Sequence, residues 1–409
     1  MTTMLYNQDI MTNTQKKQVL IVGGGFGGVK AALELSKQQD VSITLLSDQP
    51  NFRYYPALYH TATGGLHAQT SIPLDKIINE QVVTLLLGTA EKLDRKKKIL
   101  TTKEGRHLSY DILILALGVV TNYFGIAGLE EYSYGIKSWE QIQRFKHHLH
   151  QQLTDDHQPD SHYVIVGAGP TGIELAGALP AYLERVLRMH HVRKHKVHIE
   201  VIEAAPRLLP RSSPRVSAAV GARLKSLGIE LKLGQSVQGE TAEALMVSGK
   251  PITSKTVIWT AGTSNHPFFT ANTFTMADHG KVAVNGQMRS EKDIYVIGDN
   301  ASTPFSGLAE TAIRDAIFIA EDIGRRIHRQ SPKTYHQRPP ITVVPVGHNW
   351  AAVEWKGKSL TGQVGWWLRE AADWVAFHDI EPWWKATEQW MTEFGSEETC
   401  PTCTVTAGI

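Results

Sequence analysis

Two short glycine-rich runs carry the clearest chemistry in this 409-residue chain: Gly23-Gly24-Gly25-Phe26-Gly27-Gly28 and Gly167-Ala168-Gly169-Pro170-Thr171-Gly172. Both fit G-x-G-x-x-G, the pattern of a strand-to-helix turn that holds a pyrophosphate. The first glycine (Gly23, Gly167) makes the tight turn. The second (Gly25, Gly169) lets phosphate oxygens approach the backbone, and the third (Gly28, Gly172) lets the helix pack on the strand. The helix N-terminus then offers free N–H groups and the positive end of its dipole. A carboxylate at the end of the next strand takes the adenosine ribose hydroxyls. After the second run that residue is Glu203, which should accept a 2′-OH and repel a 2′-phosphate, so NADH is expected over NADPH. Arg207, four residues on, stands where a basic side chain could reach a phosphate. After the first run the position holds Ser47, with Asp48 next.

The elements that must position these turns repeat as well. An apolar run at 18–22 feeds the first, and Val29, Ala32, Leu33 and Leu35 follow it with helical periodicity. A run at 163–166 feeds the second, followed by Ile173, Leu175, Ala176 and Leu179. Further apolar runs at 112–117 and 256–261 end at Gly118 and Gly262. Gly23 and Gly167 stand 144 positions apart, and so do Gly118 and Gly262. Hairpin patterns around Glu104-Gly105 and Ser248-Gly249 precede these tails. One glycine-rich match is weak evidence; two with co-repeating tails are strong. They predict an α/β fold of two Rossmann-like dinucleotide-binding domains, one inserted in the other. Residues 17–122 and 263–330 would form the first, 123–262 the second, and 331–409 a C-terminal amphipathic helical region with a flexible tail. The alternative is that one cradle is a relic that binds nothing.

Composition narrows the function. With 42 Lys+Arg against 40 Asp+Glu and a formal net charge of +2, nothing points to nucleic acid. The basic run Arg95-Lys96-Lys97-Lys98 is expected at a solvated hairpin end. At 42% hydrophobic the chain can bury a sizeable core. The N-terminal residues 1–18 lack the apolar stretch of a secretory signal. No apolar run reaches the ~18–20 residues that span a bilayer. The two cysteines, Cys400 and Cys403, exclude a disulfide framework and suggest a reducing compartment. A lone C-x-x-C offers at most half a zinc site, so no metal is expected.

A third element brings in a family resemblance. Asp293-Ile294-Tyr295-Val296-Ile297 has the pattern of a strand ending in Gly298-Asp299-Asn300. Here the chain resembles the two-dinucleotide flavoprotein reductases over about residues 19–320. That resemblance implies FAD in the first cradle, with Gly118, Gly298 and Asp299 around it, and NADH in the second, with Ala261 and Gly262. Members that reduce disulfides or oxidise sulfide use cysteines at the flavin. This chain has none before Cys400, so electrons must leave the flavin directly for a quinone, dioxygen or a protein.

The segment Asn51-Phe52-Arg53-Tyr54-Tyr55-Pro56-Ala57-Leu58-Tyr59, then Ala62-Thr63-Gly64, is similar to the type II NADH dehydrogenases. So is Gly172-Ile173-Glu174-Leu175-Ala176-Gly177. This resemblance implies a non-proton-pumping, FAD-dependent NADH:quinone oxidoreductase at a membrane surface. It adds Phe26, Gly27, Arg53, Pro56 and Ala309 to the FAD set and places Gly64, Glu310 and Arg314 on the quinone side. Glu174 has two readings: a carboxylate favoured near a helix N-terminus, worth about 0.3–1 kcal/mol, or a group that orients the cofactors or relays a proton where nicotinamide meets flavin. The family pattern breaks at Ala309-Glu310-Thr311-Ala312-Ile313-Arg314, where Glu310 and Arg314 stand for two amides. At i, i+4 they can simply pair, or they can form a polar gate that alters acceptor preference.

Eight of the ten tryptophans follow Asn349, and Leu360, Val364, Trp367, Leu368, Ala371 and Val375 recur with helical spacing. Trp383, Thr387, Trp390, Met391 and Phe394 continue the pattern. Tryptophan favours the membrane–water interface, so this region reads as a monotopic dock for quinone access at the cytoplasmic face of the cell membrane. Packing on the core, or a homodimer interface, is the other reading, and Glu370, Asp373, Asp379, Glu381, Glu388 and Glu393 are poor partners for anionic lipid. Two rival functions stay open: a soluble, cytoplasmic NADH oxidase or ferredoxin-type reductase, and an NADH-sensing flavoprotein that acts through protein partners.

Overall fold

The computed structural model describes residues 16–154, 159–192 and 195–380, together with Lys385, Thr387, Trp390 and Met391. Expectations for Trp383, Trp384, Phe394, Cys400 and Cys403 lie outside the described residues, as do those for 1–15.

The continuous apolar runs become strands of two parallel sheets, where both faces are covered and no polar alternation is needed. In the first sheet Lys17–Val22 is central. Val41–Ser47 then Val83–Leu87 lie on one side, and Ile112–Leu115 then Ile294–Val296 on the other, all parallel. Arg289–Glu291 adds an antiparallel edge. The second sheet repeats the arrangement: His162–Val166 is flanked by His198–Glu203 and Thr256–Trp259, with Glu230–Leu233 outside, again parallel. In each sheet the chain order reverses beside the strand that feeds the glycine turn, and the crevice at that reversal is where such folds hold ligands.

The helix Phe26–Leu35 packs along Ala309–Ile327. Ala31, Ala32, Ala316 and Ala320 are all buried, and these small side chains permit close approach. Gln38 Nε2 donates to the Ala320 carbonyl at 2.9 Å and ties the far end of the pair. The two expected hairpins form, Ile99–Thr102 with His107–Ser109 and Ala244–Val247 with Lys250–Thr253. The basic run does lie at a hairpin end, but it is not wholly solvated. Arg95 pairs with Glu291 and Lys98 with Asp293, each at 2.7 Å.

Beyond residue 330 the spacing signalled only helix. The chain first makes a three-stranded antiparallel sheet, Thr342–Pro345, Ala351–Trp355 and Lys358–Gly362, and then the helix Gln363–His378. That helix buries Gly365, Arg369, Asp373 and Phe377, and leaves Val364, Trp367, Leu368, Trp374 and Val375 exposed. Its apolar stripe therefore faces outward, and its inward face carries an ion pair.

Candidate active site

The two glycine turns have the same geometry. Gly23 and Gly167 adopt φ of +117° and +106°, in the region that favours glycine. A Cβ on Gly23 would lie 2.1 Å from the Ala116 carbonyl oxygen, and one on Gly167 would lie 2.7 Å from the Ala261 nitrogen. Each turn is thus pressed against the tail of the fourth strand of its sheet. A Cβ on Gly28 or Gly172 would lie 1.8 or 1.9 Å from the carbonyl oxygen of the first glycine of its own turn. Gly25 and Gly169 are different: a Cβ there meets nothing within 4 Å. The packed glycines shape the turn, and the open ones leave room above the helix N-termini for a pyrophosphate. Both cradles therefore fit a dinucleotide. Pro170 occupies the first helical position of Pro170–Met189, where its missing N–H costs nothing. Thr171 follows it. Phe26 and Gly27 open Phe26–Leu35, and Gly27 packs on Ile297.

Glu203 ends its strand beside the second cradle. Its carboxylate accepts from the Ala168 N–H at 2.7 Å and the Ala205 N–H at 2.8 Å, which fixes it facing the turn. Arg207 is turned into its own loop, donating to the carbonyls of Ser212 at 2.6 Å and Pro210 at 2.5 Å. Beside the first cradle, the buried Ser47 hydroxyl donates to the Gln49 carbonyl at 2.7 Å, and Asp48 is exposed.

The tails that follow Gly118 and Gly262 meet. Val119–Thr121 pairs antiparallel with Thr263–Asn265, so equivalent points of the two repeats are hydrogen-bonded to each other and the two crevices share a seam. Fully buried Asn300 clamps this seam. Its Oδ1 accepts from Gly118 N at 2.9 Å, and its Nδ2 donates to Gly118 O and to Asn265 Oδ1, each at 2.6 Å. Gly298 N donates to buried Asp315 Oδ2 at 3.0 Å. Asp299 faces Lys281, Lys137 and Arg211, and burial raises its carboxyl above the ordinary range against their pull. Lys137 reaches the Gly262 carbonyl at 3.4 Å, while burial pushes its ammonium down to about 8 and Asp299 opposes that. Arg53 donates to the Lys137 carbonyl at 3.4 Å. Sequence reasoning missed Asn300 and Lys137. Asn300 had a signal in its place after Gly298-Asp299; Lys137 is an isolated lysine that only the fold brings to the seam.

Glu174 lies two residues past Gly172 in the second cradle helix. Burial pushes its carboxyl up to about 8, with Arg369 pulling the other way. Arg369 comes from the C-terminal helix, pairs with Asp373 and donates to the Pro56 carbonyl at 3.5 Å. Tyr54, itself buried, donates its hydroxyl to Asp373 Oδ1 at 2.6 Å and stacks on Phe377 at 4.3 Å. The segment around Tyr54 and Pro56 thus meets the C-terminal helix at the Arg369–Asp373 pair, and Arg369 in turn acts on Glu174. Arg369 and Asp373 had no signal as site residues, because a lone Arg-x-x-x-Asp on a helix looks like a surface pair; Tyr54 stood in the family-like aromatic segment without an assigned role. Asp373 consequently does not face outward, and Asp379 lies 3.8 Å from Lys30, so neither stands as a free acid against lipid.

Gly64 adopts φ +88° against Arg185, whose guanidinium donates to the Thr63 carbonyl at 2.9 Å and seats the loop on the second cradle helix. Ala309 begins Ala309–Ile327, and Glu310 and Arg314 pair on that helix. Glu310 Oε2 also accepts from Ile341 N at 2.9 Å, and Arg314 donates to the Arg338 carbonyl at 3.1 Å. The pair pins residues 338–341 to the helix.

Comparison with known proteins agrees with this fold. A type II NADH:quinone oxidoreductase of Staphylococcus haemolyticus is 24% identical over 383 residues, covering 88% of this chain and 94% of the relative. One of Mycobacterium tuberculosis is 27% identical over 345 residues, covering 78% and 74%. The structure of NDH2 from Plasmodium falciparum in complex with NADH superposes with a TM-score of 0.83 at 17% identity, covering 93% of this chain and 98% of that one. The α/β two-domain flavoprotein fold and the family resemblance read from the sequence are borne out. Residues 17–316 match the model of the pyridine nucleotide-disulphide oxidoreductases, and the chain belongs to that family.

Proposed function

We propose that the chain is an FAD-dependent NADH:quinone oxidoreductase that moves no protons across the membrane. The observation that carries this reading is the seam: two equivalent cradles joined at Val119–Thr121 and Thr263–Asn265, with no cysteine before Cys400. FAD would lie along Gly23–Gly28, with Ser47, Asp48, Arg53, Pro56, Gly118, Gly298, Asp299 and Ala309 around it. NADH would lie along Gly167–Gly172, with Glu203, Ala261 and Gly262. When bound, FAD supplies hydride acceptance at N5 and onward delivery of two electrons. The protein's work is placement and charge. Asn300 fixes the seam, Lys137 sets a positive charge between Asp299 and Gly262, and Glu174 holds a proton near neutral pH. Glu203 held toward the turn, with Arg207 occupied, supports NADH over NADPH.

Quinone as acceptor is supported by the activity of the relatives and by the lack of any cysteine before Cys400. Gly64, Glu310 and Arg314 are its proposed neighbours. No helix among the described residues is long and apolar enough to cross a membrane. The outward stripe of the C-terminal helix supports peripheral membrane contact, which we assign to the cytoplasmic face, and a homodimer through the same region is compatible with it.

The test is an anaerobic NADH titration of the purified protein followed by quinone addition. A yellow protein bleaches with one equivalent of NADH and is reoxidised by quinone faster than by oxygen. A colourless protein that takes up no flavin, or a quinone rate no higher than the oxygen rate, overturns the reading. The second result would leave an oxidase or a reductase of another acceptor. Turnover below about one per minute with every small acceptor, against ~1–10³ per second for enzymes, would point to an NADH sensor.

A further inference from the structure

We propose that His162, His198 and Glu200 form a binding site for a divalent transition-metal ion of the zinc type at the N-terminal edge of the second parallel sheet. His162 and His198 are direct partners on neighbouring parallel strands, and their rings lie 4.6 Å apart. Glu200 is two residues beyond His198 and shares its face of the sheet. One donor atom from each residue falls within 4.8 Å of the others. His162 Nε2 lies 3.4 Å and His198 Nε2 lies 3.9 Å from Glu200 Oε2. A tetrahedral ion held at ~2.0–2.2 Å by nitrogen and oxygen needs its donors ~3.4 Å apart, so the first distance already fits and the second needs a small rotation.

Glu200 supplies a second, independent sign. Its side chain is fully buried, yet its Oε1 has no hydrogen-bond partner. The Lys232 ammonium offsets the burial of the charge, but Oε1 is left without a partner in the interior. Lys232 Nζ stands 2.5 Å from Oε2 on the outer strand. The lysine thus neutralises the carboxylate, and an ion taken up here would compete with it for Oε2. Glu230 Oε2, 3.2 Å from His198 Nε2, is a ready fourth donor. Two imidazoles and one carboxylate, with Glu230 or water in the fourth position, suit zinc, cobalt or iron(II) rather than calcium or magnesium.

The site lies far from the cradle. His162 begins the strand that ends before Gly167, a span of ~16 Å at 3.3 Å per residue. The ion is therefore outside the electron path and cross-links two strands of the nucleotide domain. This holds whether or not quinone is the acceptor.

The experiment uses the full, flavin-loaded Cys400→Ser/Cys403→Ser chain, freed of tag and treated with chelator, titrated with cobalt(II) and with zinc. The expected result is one equivalent bound, with the d–d bands of a four-coordinate cobalt site, displaced by zinc and not by magnesium. Affinity should fall at least ~10-fold in His162→Ala and in His198→Gln. It should rise in Lys232→Met, a change that a merely structural cluster has no reason to produce. The steady-state KM for NADH should stay unchanged. No bound equivalent, or the same affinity in both histidine variants, overturns the proposal.

Discussion

Glu174 keeps its proton at neutral pH because the interior around the second cradle helix gives a carboxylate little solvation, and one guanidinium does not make up the loss. The folded chain therefore binds this proton more tightly than the unfolded one. Its contribution to stability is complete below the ordinary carboxylate pKa and declines as pH rises through about 8. Turnover that draws on that proton declines over the same range. Glu174→Gln should keep FAD bound, slow flavin reduction or turnover between ~10- and ~100-fold, and lose the alkaline step in kcat. Unchanged stopped-flow and steady-state rates would remove Glu174 from the mechanism. Arg369 favours the ionised form of Glu174, so Arg369→Met should move the alkaline step to higher pH. It also strands Asp373 without its partner inside the protein, at a cost of about 3–5 kcal/mol. Asp373→Asn in the same chain should recover part of that loss in a denaturant melt and leave the shifted step in place.

The cradles make opposite demands on glycines only a few residues apart. A methyl group on Gly172 would collide with the Gly167 carbonyl, so Gly172→Ala must deform the turn and should lower Tm by several degrees. Gly169 has φ −73° and open space around it, so Gly169→Ala should fold with a Tm within a few degrees of wild type. Its methyl group would sit where the NADH pyrophosphate approaches, and KM for NADH should rise at least ~10-fold with FAD content unchanged. An unaltered KM would mean that the nucleotide does not lie along this turn. These elements were legible in the sequence because backbone demands recur: the 144-residue offset, the apolar runs and the glycine spacing all follow from local geometry. The surroundings of Glu174 were not legible, since Arg369 reaches it, and Tyr54 and Pro56 hold the Arg369–Asp373 pair, only through tertiary packing. The C-terminal helix shows a second limit. Periodicity finds a stripe, but it does not say which side faces the core. Here the apolar stripe faces out because Arg369, Asp373 and Phe377 find partners around Tyr54 on the inside.

An outward apolar stripe on an otherwise near-neutral molecule needs a partner, because large contiguous apolar patches are rare on free monomers. Val364, Trp367, Leu368, Trp374 and Val375 are all at least 36% exposed on one helix, and Leu360 and Trp355 extend the apolar surface from the adjoining sheet. The same helix reaches inward through Arg369 to the Pro56 carbonyl and acts on Glu174, so its outer and inner faces are linked to the proposed cofactor side. A lipid surface or a second copy of the chain could each cover that face, and the two are separated by experiment. Trp367→Glu/Val375→Glu changes only exposed positions and leaves the Arg369–Asp373 pair intact. It should keep FAD, keep NADH oxidation with a water-soluble quinone analogue within about twofold, and lose at least ~10-fold in partition to neutral phosphatidylcholine vesicles in a sedimentation assay. Turnover with a long-chain quinone embedded in those vesicles should fall in parallel. Unchanged partition, together with a halved molecular mass in size-exclusion chromatography, would assign the stripe to a second copy of the chain and place quinone entry elsewhere.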